Sequence, residues 1–447
     1  MGTWNENDHP RAGDGTFAPV ERAESGVDLA DRQVYPRLVH LPPRVHEMLS
    51  DLRSQGMRPV LVGGSVRDAL LDPGIVPKDL DFEVFGGKSM GHLSKAAGRH
   101  GRVDEVGVSF GVVKMTMPGG HDIDLTLPRH DSKVGDGHRG FEVTTDPDMS
   151  FEDAAARRDF TINAISWDPQ TGELIDPHDG LSDLRAGRLR AVSDAFDEDP
   201  LRVLRGAQFA ARFDMELDED TRARCERLAD QYDALPDERV RSEFAKLASR
   251  SNRPSAGIAV LRDTGWSDRF PGRAGLDDPR LLERADRLPY LSPGVDRRIH
   301  LGAIMSSSMD EDTARAFLQR TIEGSKAQSA AFELGRRQPL PNDHAQARHQ
   351  AHGKLSIRER TEAEMVFGNS RAQRALRIAE AAGVADRPQP DLLDGADVLS
   401  MTDRKPGPWT GTALREARDR QADGLFGDGP DAKDKAREWM RHRLRSI

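Results

Sequence analysis

The chain has almost no cysteine and no long hydrophobic run, and each absence narrows the class of protein. Its single cysteine, Cys225, excludes an internal disulfide and indicates a reducing compartment. No apolar run approaches the roughly 20 residues of a membrane-spanning helix, and no charged-then-apolar leader opens the chain. We therefore expect a soluble, cytoplasmic protein without a membrane partner.

An excess of basic residues is also missing. The formal net charge is −10, which argues against a protein that coats nucleic acid by bulk electrostatic attraction. A local basic groove can nevertheless lie within an acidic protein. The charge therefore leaves an enzyme that acts on RNA among the possibilities.

The hydrophobic pattern changes along the chain and predicts a leader, a mixed domain and three helical segments. Residues 1–35 are polar and aperiodic, which is typical of a flexible leader. Residues 36–194 mix short strand-like runs with glycine turns and short helices, which predicts an α+β domain. Apolar residues at helical spacing then dominate, and proline- and glycine-containing breaks separate segments over 195–268, 269–390 and 391–447.

A glycine turn that leads into a helix is the first candidate site feature. The apolar run 59–62 predicts a buried strand, Gly63 and Gly64 form the turn, and a helix is expected from Ser65. Because glycine has no side chain, backbone N–H groups at this helix start can approach phosphates. Arg67, in the first turn, could add a cationic contact to a triphosphate.

Two strand-like segments carry alternating carboxylates. In 79–84 the apolar residues face a core, so Asp79 and Asp81 share the other face, with Cα atoms roughly 6.6–6.8 Å apart. That spacing suits two metal ligands for one or two Mg²⁺ ions, which would hold a triphosphate and activate an attacking hydroxyl. The similar run 121–127 offers Asp124 as a third catalytic carboxylate, although its position beside the first pair does not follow from the sequence.

Each of these features alone is more often structural, but their combination in one short segment is specific. It resembles the nucleotidyltransferase family of DNA polymerase β type, and within it the class II tRNA nucleotidyltransferases and bacterial poly(A) polymerases. Residues 61–71 and 79–81 carry the resemblance. It implies a polymerase β-like head, metal binding by Asp79 and Asp81, and nucleotide contacts from Gly63, Gly64 and Arg67.

Two later strings resemble further motifs of the same family. By itself 157–164 is typical of an ordinary charged helix, but it resembles the family's sugar-recognition motif. The resemblance implies that Asp159 accepts a hydrogen bond from a ribose 2′-OH and that Arg158 contacts the nucleotide. The string 176–184 resembles a turn that acts as a hinge between domains.

The string 198–205 is the candidate for base recognition. Asp199, Arg202 and Arg205 lie within about 120° of one helix face, which also fits a simple salt-bridged helix start. An Asp can accept from the exocyclic amine of cytosine or adenine while an Arg donates to ring acceptors. Guanine and uracil lack that amine at the equivalent position and would leave the Asp unpaired, at a cost of about 1–3 kcal/mol or more. The resemblance implies that Glu198 orients Arg202, that Asp199 and Arg202 read the base, and that Arg205 contacts the nucleotide.

The resemblance is looser beyond this point. It names the three helical segments neck (195–268), body (269–390) and tail (391–447), and it implies that body and tail hold the elbow of a tRNA. The His-Asp pair of a phosphohydrolase domain is missing, so we expect no phosphatase activity.

The expected reaction is Mg²⁺-dependent, template-independent addition of CCA, from CTP and ATP, to the 3′ acceptor end of tRNA with release of pyrophosphate. Nearby alternatives are a poly(A) polymerase or an enzyme that adds only CC or only A. Alternatives of another class are a catalytically silent RNA-binding protein and an enzyme that nucleotidylates proteins.

Overall fold

The computed structural model of the chain describes residues 34–77, 79–87, 89–104, 111–133, 141–276 and 278–446. The predicted leader over 1–35 therefore lies outside the described residues, except for its last two positions.

A mixed sheet forms the centre of the head. Its strands and an adjacent hairpin, in chain order, are β1 Arg58–Val62, β2 Asp79–Phe85, β3 Arg102–Asp104, β4 Val112–Thr116, β5 Asp122–Thr126, β6 Arg129–Lys133, β7 Phe141–Thr145, β8 Ser166–Trp167 and β9 Leu174–Ile175. The described sheet has the order β3-β4-β5-β2-β1-β8-β9, while β6 and β7 pair separately. β2 and β5 run parallel, and the other neighbours in the sheet are antiparallel.

The alternation predicted for the second strand is present. Leu80, Phe82 and Val84 are at most 4% exposed and belong to the main core, whereas Asp79 and Asp81 are exposed. Helices of the head cover the sheet, at Pro43–Ser54, Gly64–Leu71, Met90–Ala97, Phe151–Ala156 and Gly180–Ala186.

Helices dominate the chain after the head. They are Leu201–Phe213, Glu219–Arg227, Asp237–Arg250, Pro254–Asp263, Leu281–Ala285, Arg297–Ser306, Glu311–Thr321, Ser325–Gly335, His344–Gln350, Ile357–Val366, Ala372–Ala381, Gly395–Leu399, Pro408–Ala422 and Ala432–Arg445. The mixed-sheet head followed by helices confirms the predicted fold class. One detail differs, because Glu216–Leu217 in the neck pairs in parallel with Arg188–Leu189 of the head. Two-residue strands are too short to show periodicity in the sequence.

The apolar residues form one large core and smaller separate clusters. The large core runs from Leu38 to Phe367 and joins head, neck and the first part of the body. The tail has its own apolar cluster, between Leu393 and Leu444. Among the described helices, none combines the length and the hydrophobicity needed to cross a membrane.

Candidate active site

A cavity of about 870 Å³ opens between the sheet and two helices of the neck, Leu201–Phe213 and Asp237–Arg250. The two helices run in the same direction, as contacts at their two ends show. Asp199, which precedes the helix Leu201–Phe213, contacts Arg239 near the start of Asp237–Arg250. The other end of Leu201–Phe213 accepts a hydrogen bond from the backbone N–H of Asn252, just after Asp237–Arg250. The described lining contains ten basic and five acidic side chains. The protein therefore has a local basic groove although its net charge is negative, as the sequence analysis allowed.

Most of the predicted site residues meet in this cavity. The lining includes Gly63, Gly64, Arg67, Asp81, Asp124, Arg158, Asp159, Asp199, Arg202 and Arg205. Asp79 and Glu198 are the predicted site residues outside that lining. The Asp79 carbonyl accepts a hydrogen bond of 3.0 Å from the Ser65 hydroxyl, which ties β2 to the helix after the glycine turn.

The parallel pairing of β2 with β5 aligns the two carboxylate-bearing strands. Asp79 lies opposite Asp122, and Asp81 lies opposite Asp124. Paired strands are about 4.8 Å apart, so the structure supplies the position of Asp124 that the sequence left open. Lys114, from β4, approaches Asp124 at 3.5 Å.

The electrostatics of this group fit a cation. Partial desolvation of the Asp81 carboxylate inside the cavity raises its pKa, and the neighbouring carboxylates Asp124 and Asp79 raise it further. A cation would relieve that repulsion, and carboxylate oxygens are the ligands that hard divalent ions prefer. In the described part of the chain, however, no three His, Cys, Asp or Glu side chains are grouped closely enough to hold a metal ion as they stand.

The glycine turn has the conformation that its sequence requires. Gly63 has φ = 70°, a left-handed value that favours glycine, and the helix begins at Gly64. A Cβ atom on Gly63 would lie 3.2 Å from Nη1 of Arg158. The turn therefore lets an arginine approach the main chain closely.

Arg67, the expected cationic contact to a triphosphate, is almost completely buried. It is 3% exposed, and its guanidinium donates to Asp68 Oδ1 at 2.6 and 2.9 Å and to the Asn163 amide oxygen. The guanidinium also lies over the Phe213 ring, 4.6 Å from its centroid. Arg67 lines the cavity, but its described contacts are with the protein and join the head to the neck.

The string 157–164 is a turn followed by the short 3₁₀ helix Thr161–Asn163, rather than an α-helix. The preceding helix ends at Ala156 because Asp159 accepts from the backbone N–H of Phe160 at 2.8 Å and from Asn163 Nδ2 at 2.9 Å. Such local bonds stabilise non-helical backbone. Asp159 also pairs with Arg205 at 2.6 Å. Burial alone would raise the pKa of Asp159, but Arg205 and the hydrogen bonds lower it below its usual value.

Glu83 is a site residue that the sequence interpretation missed. It shares a face of β2 with Asp79 and Asp81, is 2% exposed, and pairs with Arg157 at 2.6 Å and Arg158 at 3.1 Å. It therefore anchors Arg158 beside the glycine turn. The signal was present in the sequence, as a third acid in the same alternation.

The string 198–205 has a different set of contacts from the expected one. The helix begins at Leu201, directly after Pro200. The Arg202 guanidinium donates to the carbonyl oxygens of Arg157, Ala195 and Arg158, at 2.7, 2.9 and 3.2 Å. These carbonyl groups hold the half-buried guanidinium of Arg202. The expected role of Glu198 in orienting Arg202 stays a prediction.

Asp199 has a partner that the sequence did not indicate. Its Oδ2 accepts from Nη2 of Arg239 at 2.9 Å, and its Oδ1 accepts from the backbone N–H of Leu201 at 3.1 Å. Arg239 lies in another helix, and no pattern within 198–205 points to it.

Comparisons with known proteins agree with this architecture. The profile of the Poly A polymerase head domain matches residues 60–190, and that of the probable RNA and SrmB-binding site of polymerase A matches residues 214–274. The multifunctional CCA protein of Chromobacterium violaceum is 36% identical over 306 residues, which cover 63% of this chain and 70% of that protein. Its counterpart in Neisseria meningitidis serogroup C is 41% identical over 211 residues, or 47% of this chain and 48% of the relative.

Solved structures share the fold over nearly the whole chain. The CCA-adding enzyme of Bacillus stearothermophilus in complex with CTP has a TM-score of 0.70 at 21% identity, over 91% of this chain and 99% of that one. The Thermotoga maritima CCA-adding enzyme complexed with tRNA has a TM-score of 0.61 at 18% identity, with the same coverage.

The head and its matches define a nucleotidyltransferase. Within that class, the chain belongs to the family of CCA-adding enzymes and bacterial poly(A) polymerases, whose members use a divalent metal ion. The match with the first of these relatives spans about half of its length.

Proposed function

We propose that this protein adds CCA, from CTP and ATP, to the 3′ end of tRNA in a Mg²⁺-dependent reaction. The observation that carries the proposal is one basic cavity that joins Asp81 and Asp124 to Asp199 and Arg202. Family membership and the names of the relatives support the same reaction. The single buried cysteine supports a location in the cytoplasm.

The cavity suggests how a nucleotide lies in it. Asp199 precedes the helix Leu201–Phe213, and roughly 16 Å of helix separate Leu201 from Arg212, at a rise of 1.5 Å per residue. Arg212 donates to Asp68 at 2.8 Å, in the helix that follows the glycine turn. The base end therefore lies at Asp199 and the triphosphate end near Gly64. The cavity volume also falls in the range of about 300–1,000 Å³ that is usual for small-molecule sites.

The described residues can divide the chemistry between them. Asp79 and Asp81 would hold Mg²⁺, which would neutralise the triphosphate and lower the pKa of the attacking 3′-hydroxyl. The hydroxyl oxygen attacks the α-phosphorus, pyrophosphate leaves, and Asp124 accepts the hydroxyl proton. Gly64, Arg158 and Arg205 orient the nucleotide, so positioning supplies much of the rate.

Base choice follows from the acceptor at Asp199. Its carboxylate can accept from the exocyclic amine of cytosine or adenine, whereas uracil and guanine have a carbonyl oxygen at the equivalent position and leave it unpaired. Body and tail would hold the tRNA elbow while the head acts on the 3′ end.

The test is incorporation on tRNA transcripts that end before CCA, after C or after CC, with each nucleotide alone and with CTP plus ATP. We expect two C additions and then one A. Asp81→Ala should abolish incorporation of every nucleotide, while Asp199→Ala should relax base choice and retain part of the activity. Asp233→Ala, at an exposed position outside the cavity, serves as the control.

Other outcomes point to the alternatives. Unlimited A addition would identify a poly(A) polymerase, and an arrest after CC or a requirement for CC would identify a partial enzyme. No incorporation on any RNA would favour a silent RNA-binding protein or an enzyme that modifies proteins. Equal losses in the Asp81 and Asp199 variants would overturn the role of Asp199 in base choice.

A further inference from the structure

The ion pair between Asp199 and Arg239 lies in the wall of the nucleotide cavity. The closest approach is 2.9 Å, between Nη2 and Oδ2, and a second contact of 3.4 Å joins Nη1 and Oδ1. The two side chains are 28% and 29% exposed and both line the cavity. A ligand in the cavity therefore meets the pair rather than an isolated carboxylate.

The backbone around Asp199 constrains its side chain only in part. Asp199 is extended, with φ = −125° and ψ = 95°, between the 3₁₀ turn Asp194–Glu198 and the helix that begins at Leu201. The Leu201 N–H holds one carboxylate oxygen. Arg239 holds the other, and an ionised carboxylate has about four acceptor sites. Acceptor capacity therefore remains for a third donor, such as an exocyclic amine.

The neck helix Asp237–Arg250 holds the backbone of Arg239 in a fixed position. Val240 and Phe244 on this helix are 1% and 7% exposed and belong to the main core. Arg239 is thus carried on a packed element, whereas the segment that carries Asp199 is not helical. A rigid donor can fix the orientation of a carboxylate on a less regular segment.

Arg239 and Arg202 consequently bind different groups of the protein. The described hydrogen bonds of Arg202 reach three carbonyl oxygens and hold the turn around Ala195 and Arg157. Arg239 is the arginine with direct hydrogen bonds to the Asp199 carboxylate.

We propose that Arg239 is a positioning residue that determines base choice, because it holds the Asp199 carboxylate where the exocyclic amine of cytosine or adenine can donate to it. The inference rests on the proposed function and extends it to a residue of a second helix. Loss of Arg239 leaves the Leu201 N–H as the remaining described donor to the Asp199 carboxylate, so the carboxylate is less well oriented and discrimination falls while the carboxylates of β2 and β5 stay intact.

The experiment compares Arg239→Met and Arg239→Lys with the wild-type protein. Arg241→Met is the matched control, since Arg241 lies on the same helix but bonds Asp237 and the Gln319 carbonyl outside the cavity. Binding of CTP and UTP is measured by equilibrium dialysis, and kcat and KM are measured on tRNA lacking CCA. Thermal unfolding checks that each variant folds.

In Arg239→Met we expect the preference for CTP over UTP to fall about tenfold, the scale of one lost hydrogen-bonded contact. The KM for CTP should rise, kcat should change much less, and Arg239→Lys should restore part of the preference. An unchanged preference, or a loss of kcat that is equal for all nucleotides, overturns the proposal. If the wild-type protein transfers no nucleotide, the proposed function fails. The inference is then decided by whether Arg239→Met lowers the ratio of CTP affinity to UTP affinity.

Discussion

At the scale of single residues, the arginines of the cavity stabilise the protein through contacts with its own acceptor groups. Arg67, Arg202 and Arg205 each place their guanidinium against protein acceptors, and Arg67 is almost completely buried. Taking such a charge out of water is costly unless it is paired and hydrogen-bonded. Each pairing therefore fixes the geometry of the cavity before a nucleotide enters.

Glu83 provides a prediction at this scale. Glu83→Gln removes the charge that holds Arg157 and Arg158, so Arg158 should lose its fixed position near Gly63. We expect kcat/KM for nucleotide addition to fall about 10- to 100-fold, the loss typical of supporting residues around an active site. The ratio of CTP to UTP use should stay the same, because Asp199 is untouched.

The control for this prediction is Glu173→Gln. Glu173 also pairs with an arginine, Arg58 at 2.7 Å, but is half exposed and outside the cavity. Wild-type kinetics in Glu83→Gln would show that Arg158 does not depend on Glu83.

At the scale of elements, pairing between distant segments creates the site. The parallel register of β2 and β5 places Asp81 beside Asp124, and parallel strands need a crossover connection rather than a tight turn. Side-chain pairs that join elements do the same in the tail. Asp397 forms a capping box with Asp394, the N-cap of the helix Gly395–Leu399, and pairs with Arg437 and Lys433 of the last helix.

Asp397 provides a prediction on pH dependence. Hydrogen bonds from Arg437 and Lys433 lower the pKa of Asp397 below its unfolded value. Its contribution to stability is therefore complete above the unfolded pKa of about 4 and is lost as the pH falls further. We expect Asp397→Asn to destabilise the tail by about 1–2 kcal/mol at pH 7, as for loss of a capped ion pair.

Urea unfolding followed by the fluorescence of Trp409 and Trp439, both in contact with the tail cluster, measures this effect. The difference between variant and wild type should narrow below pH 4. A difference that is constant from pH 7 to pH 3 would mean that the charge of Asp397 does not matter.

At the scale of the whole molecule, head and neck share one core while the tail has its own. A change in the tail core should therefore remain local. Met440→Ala removes a fully buried side chain of the tail cluster, and such truncations cost about 2–5 kcal/mol. We expect faster amide hydrogen exchange within 393–444 and unchanged exchange in β1, β2 and β5.

Met48→Ala is the matched control, because Met48 is equally buried but lies in the main core. It should speed exchange in the head and leave the tail unchanged. Faster exchange across the head in Met440→Ala would show that the clusters unfold as one unit.

The sequence by itself determined those features that are local. Alternation predicted β2 and the exposure of Asp79 and Asp81, and the glycine pair predicted the turn before Gly64–Leu71. The succession of motifs predicted the family and the fold class. Each of these depends on residues close in the chain, where backbone preferences and periodicity act.

Only the tertiary structure decided which distant groups meet. It placed Asp124 beside Asp81, gave Arg202 its carbonyl partners, and brought Arg239 to Asp199 from another helix. It also showed that 157–164 does not form an ordinary α-helix. Strand register, helix packing and buried ion pairs set these contacts, and such interactions join segments whose separation along the chain carries no periodic signal.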